Sequence, residues 1–147
     1  MKKDIIAIAT LAVLSATAAY AEEHFGVTVY PGAKADAAAK AYCSKFGPES
    51  VRQMKEMFKG AVDGGTFCYR TNDEFNKVVE YYRKQKGLEA MGAPSERGNN
   101  KAMVFCKEGM QCASMGDGVD ISISTPWSVG ATVYKDVLIT IRKAVQK

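Results

Sequence analysis

Sulfur offers the most evident chemistry in this sequence. Met103, Cys106, Met110, Cys112 and Met115 fall within thirteen positions, and thiolates and thioethers are soft donors that suit Cu(I). The cysteines have a competing use. The chain holds four of them, Cys43, Cys68, Cys106 and Cys112, and an even count in an exported chain reads as two disulfides. The expected pairs are Cys43 with Cys68, joining a helix to the next strand, and Cys106 with Cys112, closing a short glycine-containing loop over 107–111. The first expectation is therefore no metal and no cofactor, and copper held by the 103–115 cluster is the alternative. Neither pair has the Cys-X-X-Cys spacing by which disulfide oxidoreductases lower a thiol pKa, and no zinc spacing is present.

Nitrogen and oxygen chemistry is sparser. The single histidine, His24, stands beside Glu22 and Glu23, where a flexible tail is expected. Without a second histidine neither a catalytic triad nor a histidine-based metal centre can form. Asp117 and Asp120 flank Gly118 but lack the remaining ligands of a calcium loop, so a hairpin turn is expected there. No glycine pattern matches a phosphate loop. Lysine or carboxylate-pair catalysis stays open as a third reading. No catalytic residue can be named. Aromatic residues offer a different function: Trp127, following Pro126 at a strand exit, could line a recognition surface with Tyr30, Tyr134, Ser122 and Ser124. The competing reading folds Trp127 back onto the core.

The segment that leads into these residues looks like an export signal. Lys2 and Lys3 precede an apolar run over 5–19, broken only by Thr10, Ser15 and Thr17, and Ala19-Tyr20-Ala21 supplies a cleavage site before Glu22. The run is shorter than the roughly 20 apolar residues of a membrane helix. Residues 1–21 are thus expected to be a cleaved signal peptide, and 22–147 a single exported domain, periplasmic or extracellular, with no membrane insertion afterwards. Cleavage takes the formal charge from +4 to +3, because two lysines and one aspartate leave with the signal. No basic block remains, which argues against a nucleic-acid partner.

The positioning elements follow from periodicity. Residues 27–30 alternate as a first strand and stop at Pro31-Gly32. Asp36 caps a short alanine-rich helix reaching Phe46, Gly47-Pro48 stops it, and a second short helix runs over 49–60. Strand two spans 66–70. Thr71 and Glu74 then have capping-box spacing before a long helix over 73–86, whose Phe75, Val78, Val79 and Tyr82 share one face. Asp73 with Lys77 and Glu80 with Lys84 are paired on its other side. Residues 89–100 read as loop, 101–107 as strand three and 119–125 as strand four, with Val119, Ile121 and Ile123 opposed by a wet face of Asp120, Ser122 and Ser124. Residues 136–143 read as a fifth strand because Val137, Ile139 and Ile141 alternate, with a terminal helix as the rival. This order predicts an α+β fold: one domain, a mainly antiparallel sheet of about five strands, one long helix across it, and two short helices inserted after the first strand.

The phrases VTVYPGA (27–33) and CYRTNDEFNKVVEYYRKQ (68–85), with a later strand ending at Ser124-Thr125-Pro126-Trp127, resemble those of small exported bacterial proteins of uncharacterised function. The resemblance implies the same element order and no particular activity, with 34–64 an insertion between the two phrases. The expected function is a non-enzymatic binding or accessory module whose partner is an envelope protein or a small ligand.

Overall fold

A sheet with two unlike faces organises the chain. The computed structural model describes residues 21–110 and 112–147, so the signal reading of 1–20 lies outside the described residues. The chain opens with a small hairpin (β1, Glu23–His24; β2, Val27–Thr28), then helix α1 (Ala37–Met57), strand β3 (Ala61–Thr71) and helix α2 (Phe75–Lys84). Short strands β4 (Leu88–Ala90) and β5 (Ser95–Arg97) lead to β6 (Asn100–Lys107), a 3-10 turn (Ala113–Met115) and β7 (Gly118–Thr125). A second hairpin (β8, Trp127–Val129; β9, Thr132–Tyr134) and β10 (Val137–Gln146) complete it. The main sheet runs β3-β10-β7-β6-β4, with β5 also on β6, and every pairing is antiparallel. The α+β class with a mainly antiparallel sheet is as expected.

The detail differs. Among the described residues there are ten strands in three sheets and two helices, where about five strands and three helices were expected. Only 27–28 of the first expected strand is paired, and its partner is β1, outside the main sheet. Residues 88–90 and 95–97 form short strands on β6 instead of loop. They are mostly exposed, so burial left no alternation in that stretch to read. Residues 137–146 are a strand, and it lies in the interior of the sheet between β3 and β7. Residues 137–142 are buried on both faces, which explains why a β-branched run ended up at the centre.

The two expected short helices are one helix of 21 residues with Pro48 inside it. Gly47 does not stop the helix; it is buried facing β3, where a Cβ would make an ordinary contact with Thr66 Oγ1 at 3.6 Å. Asp36 does cap the start, its carboxylate accepting from the Ala39 N–H at 3.0 Å. The long helix begins later than expected. Thr71 Oγ1 accepts from the Asp73 N–H at 3.2 Å and Glu74 is the cap residue without a side-chain bond, so the capping-box spacing marks a turn before the helix. Asp73 pairs with Lys77, whereas Glu80 pairs with Arg83 instead of Lys84.

Strand alternation divides the core. On one face Tyr69, Ile139, Ile141, Ile121, Ile123, Met103 and Phe105 pack with Phe75, Val78, Val79 and Tyr82 of α2. These are the residues whose helical stripe and period-two pattern specify such a contact. The opposite face carries Cys68, Leu138, Thr140, Arg142, Asp120, Ser122 and Ser124 by register. Helix α1 covers the β3 side of that face. Its Ala39 packs with Cys68, Leu138 and Trp127, and its Val51 lies beside Ala113 and Ala144.

Candidate functional site

The second sheet face is covered at one side and at both ends, and its middle is open. Register across β10, β7 and β6 aligns Leu138 with Ser124 and Ala102, Thr140 with Ser122 and Val104, and Arg142 with Asp120 and Cys106. Ser122, Ser124, Ala102 and Val104 are half-buried. The strip they form is neither core nor free surface.

A groove of ≈ 650 Å³ lies between α1 and the β8–β9 hairpin, where Tyr42, Phe46 and Pro48 stand with the charged Lys45, Glu49 and Arg52 on the helix side, and Ser128, Val129 and Gly130 on the hairpin side. Burial raises the pKa of the Tyr42 hydroxyl, which keeps the ring neutral as a hydrogen-bonding wall. Beyond β6, Met91, Ala93, Ser95, Ala102, Val104 and Cys112 line a cleft of ≈ 290 Å³. At the inner end Arg142 Nη2 donates to Asp120 Oδ2 at 2.7 Å, with both side chains almost wholly buried. Asp120 is thus not on a wet face. A cross-strand cation brought it inside.

At the outer end Trp127 is buried, so it folds back as a cap. Its ring stacks on Tyr134 at 4.3 Å, meets Tyr42 edge-on at 5.8 Å, and donates Nε1–H to Asp136 at 3.0 Å. Arg70 lies over this stack, its guanidinium 4.8 Å from the Tyr134 ring centre and 5.4 Å from that of Trp127. The same guanidinium donates to Asp136 at 2.5 Å and to Asp36 at 3.3 Å. Both carboxylates favour the cation, and the Asp136 bond is the main reason Arg70 is held still more firmly protonated. The cluster ties β3, β8, β9 and the start of α1 together. Asp36 is legible only as a helix cap, and Arg70 and Asp136 carry no local sequence signal, because Arg70 lies 34 positions from the first and 66 from the second.

Of the expected surface residues, Trp127, Tyr134, Ser122 and Ser124 border this one sheet face. Tyr30 does not. It is buried, its hydroxyl donates to Asp73 at 2.6 Å, and its ring meets Tyr81 edge-on at 5.1 Å. Burial first, and the Asp73 carboxylate second, push its pKa up to about 12. It serves the α2 side of the core.

The five sulfur residues of 103–115 do not converge. Met103 is buried on the α2 face, Cys106 bonds to Cys112, and Met110 and Met115 stand exposed. Cys43 bonds to Cys68, so both expected disulfides are present. Among the described residues no three His, Cys, Asp or Glu side chains converge as a metal site.

His24 is not in a flexible tail. Its ring stacks on Phe67 at 3.6 Å, and its Nε2 lies 2.5 Å from the Tyr69 hydroxyl and 3.1 Å from Glu22 Oε1. Tyr69 donates to Glu22 at 2.6 Å, and the Val29 N–H bonds to the Glu22 carbonyl at 2.8 Å. The Tyr69 hydrogen bond is the main reason the Glu22 pKa lies below its ordinary 4.5. A carboxylate with a depressed folded pKa stabilises above its unfolded value and loses that contribution as pH falls through the folded one. Acidification below about pH 4 is thus expected to loosen β1–β2 first. The protection factor of the Val29 amide, corrected for the intrinsic pH dependence of exchange, should fall there in the wild type and stay level in Glu22→Gln.

No family model, no curated protein and no solved structure matches this chain.

Proposed function

We propose that this chain is an exported, non-enzymatic binding or accessory module, periplasmic or extracellular, that holds an envelope component or a small ligand on the open sheet face. The observation that carries the reading is the half-buried Ser122–Ser124 strip, left uncovered between α1 and the β4–β5 segment in a sheet whose other face is fully packed. The groove beside it joins the apolar surfaces of Tyr42, Phe46, Pro48 and Val129 to a few polar groups, as a ligand site does. Lys45, Glu49 and Arg52 give it a charged rim, while Arg70 is committed to two aspartates and Arg142 to Asp120. These internal pairs act as staples at the ends of the strip.

Two disulfides fit an oxidising compartment outside the cytosol. Among the described residues no helix is long and apolar enough to cross a membrane.

A photo-crosslinking amino acid placed at position 124, in protein made with its disulfides in its own host, tests the reading. A discrete adduct is expected from position 124 and none from position 77 on the outer side of α2. Ser122→Trp in the same chain should abolish the adduct while leaving the thermal melt in place. Equal adducts from both positions, or none from 124, would overturn the assignment of this face.

A further inference from the structure

Three donor atoms meet beside the N-terminal hairpin. Tyr69 Oη lies 2.6 Å from Glu22 Oε1 and 2.5 Å from His24 Nε2, and the last two atoms are 3.1 Å apart. Each residue is placed by a different constraint. Tyr69 is buried on β3 and pairs with Ile139 in the main sheet. The His24 ring lies nearly flat on Phe67, tilted by 11°. Its strand is turned back onto β2 at Phe25-Gly26, whose φ angles of 55° and 78° make the tight hairpin turn. The Glu22 carbonyl accepts from the Val29 N–H, so its backbone is held and its side chain is left to move.

The protons of this cluster do not match its contacts. With Glu22 ionised, the phenol and the imidazole bring at most two protons to it, and three contacts of 3.1 Å or less share them. A single cation would accept a lone pair from all three atoms at once. Donors bound to one ion at about 2.1 Å lie roughly 3.0–3.4 Å apart, so the triangle needs to open by only about half an ångström. The Glu22 side chain, 59% exposed, can make that movement and leaves the outer side of the ion to water.

We propose that Glu22, His24 and Tyr69 form a site for Zn(II). One imidazole nitrogen and two oxygens are too poor in oxygen for Ca(II) or Mg(II), and they lack the sulfur that Cu(I) takes. Three protein donors with the fourth position open to water is a coordination that Zn(II) commonly adopts. The third donor is a phenol, so the trio agrees with the absence of a His, Cys, Asp or Glu cluster among the described residues. Burial first, and the Glu22 bond second, raise the Tyr69 pKa, so the phenol stays protonated until the ion arrives. As the oxygen–zinc bond forms, the proton that Tyr69 now donates to Glu22 leaves to solvent. The trio lies on the α2 side of the sheet, with Tyr69 in that core, and is independent of the open face.

Calorimetric titration of the disulfide-intact chain with Zn(II) alone tests the site. At pH 8, where the imidazole is already neutral, one ion per molecule should bind. The heat should vary with the ionisation enthalpy of the buffer and report one proton released per ion. Tyr69→Phe keeps the ring in the core and should melt close to the wild type. Its Zn(II) affinity should fall by more than the roughly tenfold typical of losing an outer-shell partner, and the released proton should disappear. His24→Gln should lose affinity as far, which keeps the site testable if one variant fails to fold. Glu23→Gln changes the exposed neighbouring carboxylate on β1 and should bind as the wild type does. Failure to bind Zn(II), binding untouched by Tyr69→Phe and His24→Gln, or an equal loss in Glu23→Gln would overturn the proposal.

Discussion

Replacing Cys43 and Cys68 together by serine is expected to destabilise the chain by about 3.5 kcal/mol, the chain-entropy value for closing a loop of the observed 25-residue separation. In a domain of this size that lowers Tm by on the order of 10 °C. The same argument gives only about 2 kcal/mol for Cys106–Cys112, whose separation is 6. The effect should also be local. Helix α1 buries few side chains, Ala39 and Ser50 among them, and its hydrophobic face is weak because alanine, lysine and glutamate take nine of its 21 positions. The bond to Cys68 fixes it to a strand that pairs along ten positions with β10. Without the bond, amides of α1 should exchange well ahead of those in β10. Equal protection of helix and strand in the double variant, measured by hydrogen exchange, would show that packing alone holds α1 down.

The parts of this architecture legible from residue order are those specified by near neighbours. The Phe75, Val78, Val79, Tyr82 stripe and the alternation of Val119, Ile121 and Ile123 each declare one buried face, and each is buried as read. The disulfide pairing followed from loop size and element order. What could not be read depends on partners far along the chain. Gly47-Pro48 carries the local signature of a helix end, yet α1 runs through both residues and packs along β3. His24 looks like a tail residue until Tyr69, 45 positions away, receives it. Asp120 falls in the polar register of β7 and was expected in water, but Arg142 comes opposite it on β10.

The candidate site was half legible for the same reason. Ser122, Ser124 and Trp127 lie within a few residues of one another, so strand parity alone places the serines on one face. Tyr30 is also aromatic and follows a strand, but Asp73 draws it to the other side of the core. Tyr42 and Phe46 were invisible as wall residues because the helix carrying them was read as a short insertion.

Asp120→Ala should cost about 3–5 kcal/mol, the penalty for leaving one member of a buried ion pair without the other. The Arg142 side chain is only 10% exposed and that of Asp120 5%, so neither charge can recover its hydration by a small movement. Arg142 is already short of partners. Its Nε is buried without an acceptor among the described residues, and its guanidinium lies over the Phe46 ring at 5.6 Å. Removing the carboxylate takes away the one anion bonded to it among the described residues. An apolar pair of similar volume, Asp120→Leu with Arg142→Met, should recover most of the loss, since well-packed hydrophobes commonly equal or exceed a buried ion pair in stability. The comparison separates two roles. If the pair serves only to close the core, the double variant should melt like the wild type and still cross-link from position 124. If it sets the polarity of the open strip, to which Asp120 and Ser122 both belong, the double variant should melt normally and lose the adduct. The second outcome is expected, because the pair adjoins the hydroxyls of Ser122 and Thr140 on the same face, and leucine with methionine would pack there at no greater cost. A double variant as unstable as Asp120→Ala would instead place the importance of these residues in their shape, and the electrostatic account would fall.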